Sequence, residues 1–147
     1  MPRITRSALL MYSAEQMFDL VNDVDTYPEF LPGCTGSRIL DTQDDQMTAA
    51  VDVSKAGISK TFTTKNTLIA AQEVKMDLVD GPFKKLTGGW TFKELGSTAC
   101  KVSLDLEFVF SSKLAEVAFG RIFSDLVNNM VQSFTDRAKE VYGVNEN

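Results

Sequence analysis

Few side chains in this sequence combine the chemistry and the spacing that catalysis needs. Its 20 carboxylates are scattered through turns and polar faces, with no close pair at helical or strand spacing to act as general acid and base. Cys34 and Cys100 lie too far apart for a CxxC motif and are too few for a disulfide framework, so both read as buried thiols. Histidine is absent altogether. Its absence removes Ser-His and Cys-His nucleophile pairs, imidazole acid/base work and the commonest zinc ligand. No catalytic residue and no metal site is expected, and no cofactor is required.

What remains is the chemistry of binding. Phe62, Trp90, Phe92, Phe108, Phe123, Leu126, Val127 and Met130 are large enough to line a deep apolar site, where burial yields about 25 cal/mol per Å². Each serves equally well in ordinary core packing. Met76 and Met130 suit an adaptable wall or plain gap-filling, because thioethers repack easily. Trp90 follows Gly88-Gly89, a pair that permits a bulge or a close backbone approach within a strand. Its indole can hydrogen-bond a ligand carbonyl or fill the core. Tyr27, Phe30 and Leu31 belong to Tyr27-Pro-Glu-Phe-Leu-Pro-Gly-Cys34, where two prolines fix the backbone of either a gate or a structural cap.

Charge is unevenly spread. The net charge is −5, which argues weakly against bulk nucleic-acid affinity and against DNA as a partner. Between Lys55 and Lys85, however, six lysines face Glu73, Asp77 and Asp80, a local +3 that leaves −8 for the remainder. Lys55, Lys60, Lys65, Lys84 and Lys85 are candidates to meet phosphates, or else are simply solvated. Asp80-Gly-Pro-Phe83 sets Lys84 and Lys85 just beyond a tight turn, a natural contact tip. Lys60 shares a strand face with Phe62 by alternation, which predicts one charge near the apolar site. Arg137 falls toward the apolar side of its helix and is expected to snorkel at the helix end.

Elements that could position these groups are legible along the chain. Arg3 to Met11 alternate as a first strand, and Ser13-Ala-Glu-Gln16 is a capping-box signature opening a helix that ends near Asp23. A short helical turn between prolines follows. Six strands come next, centred on 38–42, 47–53, 58–64, 74–78, 85–95 and 102–110. Turns are expected at Gln43-Asp44-Asp45, Ala56-Gly57, 70–72, Asp80-Gly81-Pro82 and Gly96-Ser97. Connections this short predict consecutive antiparallel hairpins.

Ser112 to Tyr142 then carries an uninterrupted helical pattern, roughly 45 Å long at 1.5 Å per residue. Phe119, Ile122, Phe123, Leu126, Val127, Met130, Val131, Phe134, Ala138 and Val141 share one side of it. Leu114, Val117 and Ala118 fall on the other side, with Gly120 between the two phases. Either Gly120 marks a bend or close approach that turns these first residues toward the core, or they rim an opening exposed to a ligand or membrane. Ser112 is the expected N-cap and Gly143 the expected stop. The order strand, helix, short helix, six strands, long helix is an α+β arrangement, its sheet of about six to seven strands curved around the long C-terminal helix. Sheet and helix together are expected to enclose an apolar space.

Tyr27 to Cys34, Ala50-Val-Asp-Val-Ser-Lys-Ala-Gly57, Lys60-Thr-Phe-Thr-Thr64 and Val79-Asp-Gly-Pro-Phe-Lys-Lys-Leu-Thr-Gly-Gly-Trp90 resemble a known family, as do Phe119-Gly-Arg121 and Met130-Val-Gln132. It is the family of RatA ribosome-association toxins and mitochondrial coenzyme Q-binding proteins, in the START-like, polyketide-cyclase-like superfamily. The resemblance spans nearly the whole chain and implies a helix-grip fold. One branch binds ubiquinone in a hydrophobic cavity and supports respiration; the other binds the large ribosomal subunit and blocks its association with the small one. For this chain the resemblance implies non-enzymatic binding of ubiquinone or another isoprenoid lipid, with a large ribosomal subunit and an antitoxin protein as further partners. The superfamily also holds polyketide cyclases, aromatases and lipid-transfer proteins, and the enzymatic alternative lacks an evident acid/base pair. With no run of 18 apolar residues and no signal-like N-terminus, residues 1–147 are expected to form one cytoplasmic domain.

Overall fold

The computed structural model describes residues 3–55 and 57–143. Strand β1 (Arg3–Leu10) leads to helix α1 (Ala14–Asn22), a 3₁₀ turn (Val24–Glu29), strands β2 (Cys34–Gln43), β3 (Gln46–Lys55), β4 (Ile58–Ile69), β5 (Glu73–Asp80), β6 (Phe83–Gly96) and β7 (Ala99–Phe110), and helix α2 (Lys113–Tyr142). The seven strands form one antiparallel sheet in the order β1-β7-β6-β5-β4-β3-β2. Every consecutive pair from β2 to β7 is thus a hairpin, as the short turns require. The first strand closes on the last, Arg3 opposite Glu107 through Leu10 opposite Cys100.

Local chemistry fixes the helix ends. Ser13 Oγ accepts from the Gln16 amide at 3.1 Å and Gln16 Oε1 accepts from the Ser13 amide at 2.9 Å, so the capping box forms in full. Ser112 Oγ accepts from the Ala115 amide at 3.0 Å, and the Gly143 N–H donates to Lys139 O at 3.0 Å to end α2. Gly57, one half of the turn expected at Ala56-Gly57, follows β3; Ala56 lies outside the described residues.

The sheet curls around α2. β1 and β3 stand five strand spacings apart, roughly 24 Å in a flat sheet at about 4.8 Å per strand. Yet Arg6 of β1 donates to Asn128 Oδ1, and Lys55 at the end of β3 reaches Asp125 Oδ2 at 3.4 Å. Those two partners are three residues apart on one helix, about 4.5 Å along its axis. Only a sheet bent around the helix brings both sides to one turn.

The concave face holds the core. Val102, Leu104, Leu106 and Phe108 of β7 are buried in alternation, facing Phe119, Phe123, Leu126, Val127, Met130, Val131, Phe134 and Ala138 of α2. Val141, expected on this stripe, is 51% exposed because the helix has run past the sheet. Leu114 and Val117 do not turn back to the core either; they stand in solvent at 78% and 73% exposure. A methyl added at Gly120 would meet the Phe110 ring at 3.6 Å, an ordinary contact, so close packing does not demand that glycine.

Gly88 and Gly89 are where glycine is obligatory. Their φ values are +134° and +149°, and an added Cβ would lie 2.0 Å from Asp105 O and 1.9 Å from Val74 O. Register runs without a shift through both residues, so the pair serves a close approach of three strands and not a bulge.

Candidate functional site

A cavity of about 40 Å³ lies between the concave face and α2. Its floor comes from β3 to β6, its roof from Leu126 and Met130 of α2, and its end wall from the last turn of α1 and the 3₁₀ turn. Of the residues expected to bind a ligand, Tyr27, Leu31, Phe62, Trp90, Leu126 and Met130 line it. Phe30, Phe92, Phe108, Phe123 and Val127 do not. Phe123 instead packs edge-on against Phe83 and Phe108 at 4.8 and 4.9 Å, filling the half of the groove near the start of α2. Phe92 stacks on Trp90 and meets Phe18 edge-on, while Phe30 packs on Phe134 at 5.1 Å outside the cavity. Val127 is buried in the core nearby.

The space is apolar but not wholly so. Alternation along β4 carries the inward face from Phe62 through Thr64 to Asn66, and all three line the cavity. Thr64 and Asn66 are 4% and 7% exposed, and the Thr64 hydroxyl donates to Asn66 Oδ1 at 2.9 Å. Asn22 at the end of α1 donates its amide to Phe18 O at 2.9 Å, and its buried Oδ1 has no partner among the described residues. Asn22, Thr64 and Asn66 escape a reading that looks for bulk; the signal for the last two was the period-two continuation of Phe62.

Tyr27 is pinned rather than hinged. Its hydroxyl donates to Val21 O, its ring meets Phe134 edge-on at 5.4 Å, and burial pushes its pKa well above the usual tyrosine range. These contacts favour the structural cap over the gate. Both cysteines are buried free thiols, and desolvation pushes Cys100 up to about 11. A drug-sized ligand site spans roughly 300 Å³ or more, whereas 40 Å³ has room for only a few water molecules. The wide space expected between sheet and helix is therefore closed in this conformation.

The lysines divide. Lys55 pairs with Asp125, and Lys85 pairs with Glu107 at 2.8 Å, which holds that carboxyl below its usual range. Lys65 is exposed on β4 with Asp77 of β5 opposite in register. Lys60 does not reach the cavity: it is exposed in a surface groove with Leu114 and Ala118. Lys84 lines the adjoining groove with Lys113, and the two grooves share Ser111 and Ser112. Lys60, Lys84 and Lys113 thus gather at the start of α2, where Leu114 and Val117 are exposed. Arg137 does not snorkel; with its side chain 16% exposed, it bonds Glu29 at 3.0 Å and stacks on Phe30 at 5.1 Å.

Residues 10–135 match the family described as polyketide cyclase / dehydrase and lipid transport. The chain is 66% identical over 142 residues to the ribosome association toxin RatA of Escherichia coli, covering 97% of this chain and 90% of that protein. It is 28% identical over 146 residues to a mitochondrial coenzyme Q-binding protein (homolog B) of Xenopus laevis, covering 97% of this chain and 60% of that one. The fold is that of a Streptomyces aromatase/cyclase, Zhui, with a TM-score of 0.82 at 15% identity over 95% and 94% of the two chains. Helix-grip architecture, specific sequence segments and whole-length identity agree: the chain belongs to the START-like polyketide cyclase and lipid transport family, in the branch of the RatA toxins.

Proposed function

We propose that this chain binds, without catalysis, an apolar ligand of the ubiquinone class between its curved sheet and α2, as a cytoplasmic protein supporting respiration. The observation that carries this reading is the cavity itself: apolar walls from seven elements, with Thr64 and Asn66 set among them. Such a site holds a ring by burial and orients it by a few polar contacts. The name of the Xenopus relative supports the ligand class. Among the lining residues Tyr27 is the titratable one, and its proton is committed to Val21 O, which favours binding over acid/base chemistry. Because the space is small as it stands, loading requires α2 or the capping turn to give way.

Native mass spectrometry of the protein purified from its own host tests this. A co-purifying quinone or isoprenoid lipid is expected, and an unliganded protein whose thermal midpoint does not move with an added short-chain quinone would remove the ligand role.

A second reading, ribosome association as a toxin, is favoured by 66% identity to chains named for it and by the lysines gathered at the start of α2. Lys60, Lys84 and Lys113 supply contacts for RNA phosphates of the large subunit, and an antitoxin partner would restrain the activity. Sucrose-gradient fractionation after overexpression should show accumulated free subunits; an unchanged profile would remove this role.

A further inference from the structure

The first turns of α2 carry apolar side chains that the core does not use. Leu114, Val117 and Arg121 recur at i, i+3 and i+7, so they share one face of the helix. At 78% and 73% exposure, Leu114 and Val117 stand further into solvent than any other large hydrophobic residue among those described. Cations surround the pair. Lys60 and Leu114 border one open groove of about 510 Å³, Lys84 and Lys113 border the next, and Arg121 is exposed one turn further along α2. Lys60, Lys84 and Arg121 make no ion pair among the described residues, and Lys113 meets Glu116 only at 3.8 Å with both side chains largely exposed. Asp80, whose carboxylate accepts from the Gly81 N–H at 3.0 Å, is the other acid bordering these grooves. Positive charge therefore exceeds negative here, on a chain whose net charge is −5.

We infer that this end of the molecule docks on an anionic lipid bilayer, Leu114 and Val117 entering the headgroup boundary while Lys60, Lys84, Lys113 and Arg121 meet lipid phosphates. A bilayer interface uses both halves of the patch, because apolar side chains leave water there and basic ones stay at headgroup level. RNA phosphates would use the cations alone and leave Leu114 and Val117 in solvent. Charge more than about 8 Å away is largely screened at physiological ionic strength, so the local excess governs the approach and not the net −5. Attachment is peripheral and reversible: no helix among the described residues is long and apolar enough to cross a membrane. The docking face lies outside the interior cavity, so the inference stands apart from the ligand reading.

The test is flotation of the full chain with vesicles of phosphatidylcholine alone and of phosphatidylcholine mixed with phosphatidylglycerol. Binding to the anionic vesicles is expected to be at least about tenfold tighter and to weaken as salt rises, each cation contributing about fivefold. Leu114→Gln with Val117→Gln, both at exposed positions, should lower affinity for the anionic vesicles by at least about tenfold while the thermal midpoint stays in place. Lys60→Gln with Lys84→Gln should remove most of the preference for the anionic lipid. Should the glutamine pair fail to fold, Leu114→Ala with Val117→Ala removes the same bulk, favours the helix and gives the same readout. Binding that survives loss of the apolar pair unaltered would overturn the inference in favour of a surface that reads phosphates alone, as RNA requires. Binding to neither kind of vesicle overturns it outright.

Discussion

The Tyr27 hydroxyl donates to the Val21 carbonyl, tying the 3₁₀ turn to the end of α1. The same ring lies edge-on to Phe134 at 5.4 Å, so one side chain joins three elements around the end wall of the cavity. Tyr27→Phe keeps the ring and strands a buried carbonyl, which should destabilise the fold by about 1–3 kcal/mol. Tyr27→Ala removes the ring as well and should cost about 3–5 kcal/mol. Urea unfolding of both variants measures the two steps; equal losses would mean that the hydroxyl contributes nothing.

At Gly89 a methyl would sit 1.9 Å from Val74 O, with the Val74 and Lys75 backbone as its nearest neighbours and no side chain to yield. Gly89→Ala should therefore part β5 from β6 and give insoluble or grossly destabilised protein. Gly33→Ala, where an added Cβ meets nothing within 4 Å, isolates the backbone cost at φ +88° and should remain folded. Expression and circular dichroism of the pair compare the two; a well-folded Gly89→Ala would contradict the three-strand approach.

Asp52 is held below the usual carboxylate range, first by the Thr61 hydroxyl and then by Arg38 at 3.0 Å, against the opposing effect of desolvation. A folded-state pKa that is depressed adds stability above the unfolded value of about 3.9, and that stability is lost as pH falls through the folded pKa. Asp105, lowered by Arg3, acts in the same direction. Stability should thus decline on acidification below about pH 4, and Asp52→Asn should flatten the decline. Denaturant titrations between pH 2.5 and 6 check it; parallel curves for the two proteins would refute the assignment.

Lys60 and Lys84 make no ion pair among the described residues, whereas Lys85 is paired with Glu107. Lys60→Glu with Lys84→Glu should accordingly reduce co-sedimentation with ribosomes more than Lys85→Glu with Lys65→Glu, and should leave quinone retention unchanged. Equal losses from the two pairs would dissolve the distinction between the edge at α2 and the outer face of the sheet.

How the sequence maps onto this structure follows from which forces are local. Alternation in β7 and the 3.6-residue period of α2 arise within single elements, so Leu104 and Phe123 were readable as inward residues. The pairing of β1 with β7 depends on contacts about a hundred residues apart, and no local pattern encodes it. The same holds for the site. Large residues were legible as interior ones, but whether Phe108 fills space or borders it is decided by Phe83 and Phe123 across the groove. Asn22 and Asn66 were overlooked because their polarity argues for solvent until the curled sheet encloses them. Lys60 was assigned inward by its alternation with Phe62, a rule that fails near the start of the strand, where residues 58–61 are all exposed and Lys60 lies in an open groove beside the first turns of α2.

Leu126 borders the cavity, and it also borders a groove of about 330 Å³ on the outside, formed with Pro32, Gly33 and Lys55. Leu126 thus touches both the interior space and the solvent-facing groove on that flank. The neighbouring Lys55 and Asp125, both largely exposed, contribute little to holding that flank together. A substitution at Leu126 therefore acts on the interior space and on the outer groove at once.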